Sequence, residues 1–496
     1  MIRLFIFIFT YLFAVSLSAQ KDTAFIYTFG GDQDEQGRDI ELTADSGFIM
    51  VGATSSFGNG NSDIYLVKVD SNIKYQWSRA IGHFHLEFGH AVKQTKDGGY
   101  VICGYSNSKG NGGYDGYLVR TDDTGAVVWE KYFGGFDWDK FYDVELTPDG
   151  GFMLVGETNS FGAGDADAWI VKTDSLGNLE WEKFLGGKGK DIAHALISTK
   201  DGNYAFCGEN TNENKGQSSM WFVKFSNESV ISINKNYPKT QNEKAFGILE
   251  MKNGSFILVG QKQKMDSIRI DESLIMVDNK GDFLKGIESF YGINEDVLKD
   301  IIEGKNGLLF SAGYSSSFGN GGAKGIFGVR SISISQNLDL LYGPVLGNGK
   351  FNQKGFKIIE NHNGNRLIIG TYGGSKNPYT DIGVTIYKND TVAQDYDVLE
   401  EAPYNDLSLN KSLGLISISR KASSIYPNPA KDFVNILIDH NSKIIKIEVL
   451  DLNGKVLGKY FTNLTQINIA NFNSGVLILK LYYEIQSPAT FKVIHE

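Results

Sequence analysis

Short apolar runs ending in glycine recur along this chain, and turns rich in Gly, Asp and Asn separate them. They end at Gly52 (Gly-Phe-Ile-Met-Val-Gly), Gly104 (Gly-Tyr-Val-Ile-Cys-Gly), Gly156 (Gly-Phe-Met-Leu-Val-Gly), Gly208 (Asn-Tyr-Ala-Phe-Cys-Gly), Gly260 (Ser-Phe-Ile-Leu-Val-Gly), Gly313 (Leu-Leu-Phe-Ser-Ala-Gly) and Gly370 (Arg-Leu-Ile-Ile-Gly). Successive glycines stand 52, 52, 52, 52, 53 and 57 residues apart. A fixed period of this length marks a repeat architecture in which each copy is one supersecondary unit. Apolar runs of this length between turn residues read as strands covered on both faces.

The second unit shows the expected anatomy. His90–Thr95 reads as a strand, Lys96-Asp97-Gly98-Gly99 as a hairpin turn, and Tyr100–Tyr105 as an apolar strand. A Gly/Asn-rich loop spans Ser106–Tyr114, Asp115–Thr121 is a third strand, Asp122-Asp123-Thr124-Gly125 turns the chain, and Val127–Phe133 is a fourth. The first hairpin turn recurs as Asp45-Ser46-Gly47, Asp149-Gly150, Asp201-Gly202, Asn253-Gly254, Asn306-Gly307 and Asn363-Gly364. Gly, Asn and Asp are the residues that accept the positive φ such turns demand. Trp77, Trp129 and Trp181, again 52 apart in the last strand of successive units, read as packing anchors between neighbours.

The pattern predicts an all-β chain whose main body is a seven-bladed β-propeller of four-stranded blades. The seventh unit offers strands near Phe356–Glu360, Arg366–Thr371 and Ile382–Tyr387 but no fourth. Phe25–Gly31 resembles the fourth strand of the other units and is expected to close the ring, which removes an exposed sheet edge. Long polar loops follow the second strands, as in Ser55–Ser62, Asn159–Gly164 and Ser316–Gly322, so one face of the ring should carry any ligand site.

Composition narrows the setting. The 496 residues include 58 Gly, 8 Pro and 12% aromatics, and the net charge is −10, which offers no basic stripe to a nucleic-acid partner. At the N-terminus Arg3 precedes an apolar run, Leu4–Val15, too short to span a bilayer, and Ser16-Leu17-Ser18-Ala19 ends it with small residues. Residues 1–19 therefore read as a signal peptide cleaved between Ala19 and Gln20. Cys103 and Cys207 fall at the same position of non-adjacent units, too far apart for a disulfide, and read as small buried apolar residues.

The repeat ends near residue 400, giving a propeller over 20–400, a linker over 401–424 and a distinct C-terminal unit over 425–496. The last unit alternates as a small Ig-like β-sandwich does. It carries Tyr426-Pro427-Asn428-Pro429-Ala430, the turn Asp451-Leu452-Asn453-Gly454-Lys455, Gly475, Leu479-Lys480-Leu481 and Phe491-Lys492-Val493-Ile494. In these motifs the tail resembles the type A C-terminal sorting domain of the type IX secretion system of Bacteroidota. It departs at Val476-Leu477, where that family usually has an aromatic after the glycine. The resemblance implies export through the inner membrane, passage across the outer membrane by the type IX machinery, removal of the tail and attachment to surface lipopolysaccharide. The localisation it implies is secreted or on the outer cell surface. The main-body repeats, with Gly-Gly-Tyr, Asp-x-Tyr-Leu-Val-Lys-x-Asp and a Trp strand, resemble propeller repeats of bacterial surface proteins, and that resemblance implies a fold and no activity.

Three constellations carry candidate chemistry. Counting fourteen residues back from each repeat glycine gives Arg38, His90, Tyr142, His194, Phe246, Lys299 and Phe356. If these ring the channel mouth, four nitrogen-bearing side chains and three aromatics converge on a site for an anionic ligand or an acidic sugar; the alternative is packing between blades. His83 and His85 alternate at an inter-blade connection, with Glu87 and His90 close by, and alternate His residues on a strand can share a metal. Asp63, Asp115 and Asp167 each open a third strand after a Gly-rich loop; they suit either Ca²⁺ or the capping of their own turns.

Enzyme signatures are sparse: the sequence holds no Gly-x-Ser-x-Gly, His-Glu-x-x-His or phosphate loop. Asp137 and Asp139 are an acid pair whose spacing fixes no carboxylate separation. Asp122-x-Thr124-Gly125-x-x-x-Trp129 resembles the tryptophan docking motif of quinoprotein dehydrogenases, but their vicinal cysteine pair is missing. The sequence thus favours a surface binding or adhesion module for a glycan or protein ligand, without catalytic residues, cofactor or metal. A polysaccharide-active hydrolase or lyase using the long-loop face is the alternative.

Overall fold

The computed structural model describes residues 23–212, 216–237, 242–263, 269–288, 294–317, 326–342, 345–346, 352–373 and 379–387. Beyond them it describes 397–401, 405–406, 424–426, 433–437, 444–451, 455–460, 466–468, 475–483 and 489–495. Among the described residues every regular element is a strand. In the main body the strands form antiparallel sheets, each folded from consecutive strands in chain order, except in the unit around Gly370. The second unit contains Glu87–Gln94, Tyr100–Ser106, Asp115–Thr121 and Val127–Phe133, close to the sequence reading.

The unit around Gly370 is assembled differently. Gln353–Glu360, Arg366–Gly373 and Thr380–Tyr387 are followed in the sheet by Thr23–Gly30, with Ala24 opposite Tyr387 and Phe29 opposite Ile382. Asp397–Glu401 and Asn405–Asp406 then pair in parallel with Thr23–Gly30. These two segments pair with the outer edge of Thr23–Gly30, which would otherwise present unpaired backbone groups. Of the expected linker at 401–424, the described residues Glu401, Asn405, Asp406 and Ser424 lie in strand pieces, and the rest lies outside the described residues.

Burial follows the pattern along the chain. All residues of the third strands Asp63–Val69, Asp115–Thr121 and Asp167–Thr173 are buried, whereas Val127–Phe133 is half-exposed. The core lies between neighbouring sheets. Ile49, Val51 and Leu66 of the first unit pack with Val92, Ile102 and Val119 of the second. Ile40, Phe48 and Tyr65 of the first pack with Leu367, Ile369 and Val384 of the last. The first strand of each unit packs against the first strand of the next, and Gln353–Glu360 packs against Glu35–Leu42. Trp77 and Trp129 anchor these contacts: a Cβ on Gly125 or Gly177, in the next unit's turn, would lie 2.7 Å from the respective indole. Cys103 and Cys207 are buried free thiols.

The hairpin Asp has a second role that sequence reading missed. Lys68 reaches Asp45 at 2.8 Å, Lys172 reaches Asp149 at 2.9 Å and Lys224 reaches Asp201 at 2.7 Å, while Arg120 pairs with Asp97. Each cation leaves the middle of its sheet to pin the first hairpin. Burial works to raise Asp45 and Asp149, but the hydrogen bonds outweigh it and hold both at about 2.

In the tail, Ser424–Tyr426, Phe433–Leu437 and Gln466–Asn468 form one sheet, and Val456–Tyr460, Ile444–Leu450, Gly475–Tyr483 and Ala489–His495 form another. Tyr426, Gly475 and Lys492 lie in strands and Lys455 just precedes one; Pro427, Asn428, Pro429 and Gly454 lie outside the described residues, as do Ala19 and Gln20.

The repeat glycine has a steric cause. Each first strand carries a bulge, and the extra residue is Arg38, His90, Tyr142, His194, Phe246, Lys299 or Phe356. The residue before each bulge pairs with the repeat glycine, as Gly89 does with Gly104 and Ala193 with Gly208. The distorted strand pushes a carbonyl against that glycine. A Cβ at Gly52 would lie 1.7 Å from Gln36 O, at Gly104 1.8 Å from Phe88 O, and at Gly370 1.9 Å from Lys354 O. These glycines are required by close approach rather than by backbone conformation.

Gly104→Ala should therefore cost about 3 kcal/mol in urea unfolding. Gly202→Ala, at φ 78° with nothing within 4 Å of the new Cβ, should cost only about 1–2 kcal/mol. Equal or reversed effects would contradict the steric assignment.

Candidate functional site

The seven bulged residues converge. Arg38, His90, Tyr142, His194, Phe246, Lys299 and Phe356 all line one cavity of about 270 Å³, with the residues that follow six of them, all but Phe246, as its floor. A bulge leaves its extra residue outside the ladder, so the side chain is re-aimed off the sheet. Repetition of that device in neighbouring units delivers the set to one place.

The side chains touch in a closed collar. The Arg38 guanidinium lies 4.2 Å from the Phe356 ring centre and 5.1 Å from that of Phe88. Phe88 and His90 are 4.9 Å apart, His90 and Tyr142 4.9 Å, Tyr142 and His194 5.6 Å, and His194 and Phe246 4.9 Å. Lys299 Nζ sits 3.3 Å over Phe246 and 5.8 Å from Tyr314, which is 6.4 Å from Phe356. Rings facing cations supply favourable quadrupole contacts but no counter-charge.

The electrostatics are unbalanced. Arg38 donates to Gln36 Oε1 at 3.0 Å, its Nε has no hydrogen-bond partner, and neither Arg38 nor Lys299 forms an ion pair among the described residues. Burial, reinforced by Arg38, Lys354 and Lys244, lowers Lys299 to about 7. Burial also lowers Arg38, and burial with the charge of Arg38 pushes His90 well below the usual imidazole range. His194 is lowered by burial too; its Nε2 stands 3.7 Å from Glu209 Oε1 and makes no hydrogen bond. Tyr142 donates to Glu157 at 2.8 Å, and burial next to that carboxylate raises its phenol. Near neutral pH the cavity thus holds neutral imidazoles, a protonated phenol, Arg38 and a Lys299 whose charged form burial disfavours.

The floor is structural. Asp39, Asp143 and Asp300, each one residue after a bulge, accept the backbone N–H of Val92, Leu196 and Ile358 in the next unit at 2.9, 2.8 and 3.0 Å. They stitch neighbouring units together at the cavity base. Burial pushes Asp39 up to about 7, against the pull of Lys357 and Lys93. Spacing alone held this signal, as an Asp at the position after Arg38, Tyr142 and Lys299.

The other candidates are not gathered into sites. His83 Nε2 bonds Glu130 at 2.9 Å, His85 is exposed, Glu87 accepts from His83 N and Ser106, and His90 belongs to the cavity. Asp63, Asp115 and Asp167 are buried and accept backbone N–H groups of their own loops, from Gly60 at 3.0 Å, Asn111 at 3.2 Å and Ala163 at 2.9 Å. Among the described residues no group of three His, Cys, Asp or Glu is placed to hold a metal. Asp139 is turned inward to Thr158 and Ser160 while Asp137 is exposed, so they do not form a catalytic pair.

Comparison with known proteins bears on the tail. Residues 424–495 match the model of the secretion system C-terminal sorting domain. The chain is thus a cargo of the type IX secretion system, exported and then attached to the cell surface or secreted. No curated protein matches it. Among solved structures it is similar to PorZ, a surface component of the type IX secretion system of Porphyromonas gingivalis, at 11% identity and TM-score 0.36 over 94% of this chain and 74% of that one. It is similar to the polysaccharide lyase Uly1 at 12% identity and TM-score 0.45 over 76% and 94% of the two chains. For the β-propeller domain of the Trilobed protease of Pyrococcus furiosus the values are 11% and 0.44, over 77% and 100%.

A lysine kept in the cavity at the expense of stability should betray itself. The folded-state value of Lys299, about 7, lies below the ordinary 10.5, so its unfavourable contribution is complete below pH 7 and fades as pH rises toward 10.5. Lys299→Met should raise Tm by about 2 °C or more at pH 6 and by less at pH 10. A lower Tm at pH 6 would make the lysine a packing element.

Proposed function

We propose that this protein is a surface-delivered, seven-bladed propeller that binds an acidic glycan in the collar cavity. In this reading residues 1–19 are the signal peptide, cleaved before Gln20. The four-stranded blades close through Thr23–Gly30, and the packing of Gln353–Glu360 against Glu35–Leu42 supports a ring. The propeller body spans 20–400, 401–424 is the linker, and the tail over 425–496 is an Ig-like sandwich that the type IX machinery exchanges for surface lipopolysaccharide.

The carrying observation is that Arg38 and Lys299 enter a partly desolvated cavity with no ion-pair partner among the described residues. Charge left uncompensated in a low-dielectric site is unfavourable and is relieved by an incoming anion. The cavity, at about 270 Å³, admits a group the size of one sugar ring, and Phe246 and Phe356 offer it apolar walls. A second reading, a hydrolase or lyase acting on polysaccharides, is favoured by the neutral His90 and His194 beside the protonated Tyr142, the states that general-base and general-acid roles require.

The test is an array of acidic and neutral glycans probed with the mature protein, with bond cleavage assayed in parallel. Binding should be confined to acidic glycans and should weaken at least tenfold in Arg38→Gln and Lys299→Gln. It should also weaken as pH rises from 6 to 8, because Lys299 loses its proton through about 7 while Asp39 becomes charged over the same range. Uniform binding to neutral glycans, or unchanged binding by both variants, would remove the cavity as the site. Turnover of a glycan would replace the binding reading by the enzymatic one.

A further inference from the structure

Two places on the cavity rim share an arrangement. Tyr105, the residue after Gly104, meets Tyr114 edge-on at 5.1 Å, and Lys140 of the following unit lies 5.4 and 5.7 Å from the two ring centres. Tyr314, the residue after Gly313, meets Phe327 edge-on at 5.3 Å, and Lys354 of the following unit lies 4.4 and 3.9 Å from those rings. The parts are equivalent. Tyr114 and Phe327 each precede a third strand, and Lys140 and Lys354 each stand two residues before a bulged residue. Where the clamps are missing, the residue after the repeat glycine is Ala53, Glu157, Glu209, Gln261 or Thr371.

The clamps are connected through the collar. Tyr105 stacks on Phe88 at 5.5 Å and 5°, Phe88 faces Arg38 at 5.1 Å, Arg38 faces Phe356 at 4.2 Å, and Phe356 reaches Tyr314 at 6.4 Å. Arg38 is therefore midway along an aromatic arc with a lysine near each end. The ends differ in charge. Lys140 is 3.3 Å from Glu157, whereas Lys354 forms no ion pair among the described residues, and burial together with Arg38 lowers it. The Lys140 end extends outward to Trp138, 5.5 Å from Tyr114 and half-exposed at 53%.

We infer that the two clamps are subsites flanking the cavity, so that the ligand is a linear acidic polysaccharide lying across the collar rather than a single sugar. Its acid groups meet Arg38 and Lys354, and the apolar face of a sugar stacks on Tyr114 and Trp138, where the lysine is already neutralised. Aromatic faces bind the C–H faces of sugars, and an unpaired lysine supplies the counter-charge of an acid group. Two linked subsites gain affinity over one because the second contact is intramolecular.

This inference rests on the proposed anion site in the cavity, and the experiment separates the two. Calorimetric titrations would use galacturonate, guluronate and glucuronate monosaccharides, the corresponding acidic tetrasaccharides, and cellotetraose as the neutral chain. The full-length mature protein would be compared with Tyr114→Ala and Phe327→Ala, neither of which lines the cavity. The wild type should bind an acidic tetrasaccharide at least tenfold more tightly than its monosaccharide and should discriminate against cellotetraose. Each variant should lose at least fivefold for the tetrasaccharide while remaining folded and with unchanged monosaccharide binding. Equal affinity for monosaccharide and tetrasaccharide, or parallel losses for both in the variants, would overturn the clamps and leave the cavity site standing. Failure of every acidic ligand to bind would overturn both.

Discussion

One close approach underlies this molecule. In each described unit a carbonyl of the inner strand presses on a glycine of the second strand, and a side chain on that glycine would lie within 2 Å of the oxygen. The same distortion that creates the contact adds an extra residue to the inner strand. A flat ladder would place that residue within the sheet's alternation. The bulge places it outside the ladder, and neighbouring units do the same beside it. The period seen along the chain and the collar of the cavity are therefore two consequences of one backbone geometry.

Around that geometry, structural and candidate functional groups are distributed by position. The residue after the bulge serves assembly where it is Asp39, Asp143 or Asp300, which bond the next unit's backbone. The hairpin Asp serves its own sheet by capturing a buried Lys or Arg. Asp63, Asp115 and Asp167 serve their own loops. Each of these charges has a partner in the fold. Arg38, Lys299 and Lys354 form no ion pair among the described residues, and beyond burial Arg38 lowers the proton affinity of both lysines while Lys354 lowers that of Lys299. The aspartates named above are bound into the fold, whereas this cationic cluster at the cavity is not matched by a carboxylate in ion-pair contact among the described residues.

The tail is a separate matter. Its sorting signal addresses the chain to the type IX machinery without reference to what the main body binds. The sorting address and the cavity thus reside in different sequence patterns, and knowledge of one does not inform the other.

The sequence by itself determined the strand pattern, the unit boundaries, the supply of a fourth strand by Thr23–Gly30 and the sorting tail, because period, turn chemistry and a local motif are all written in neighbouring residues. It also identified the seven collar positions by counting back from the repeat glycine, since a bulge keeps a constant offset within its own sheet. Only the tertiary structure decided that these positions share a cavity, that His83 and His85 do not join His90, and that Asp39 and its counterparts bond across units. It alone paired Lys140 with Tyr105, and Lys354 with Tyr314. Those relations join different sheets, and a spacing along one strand carries no distance between two sheets until their apolar faces have packed.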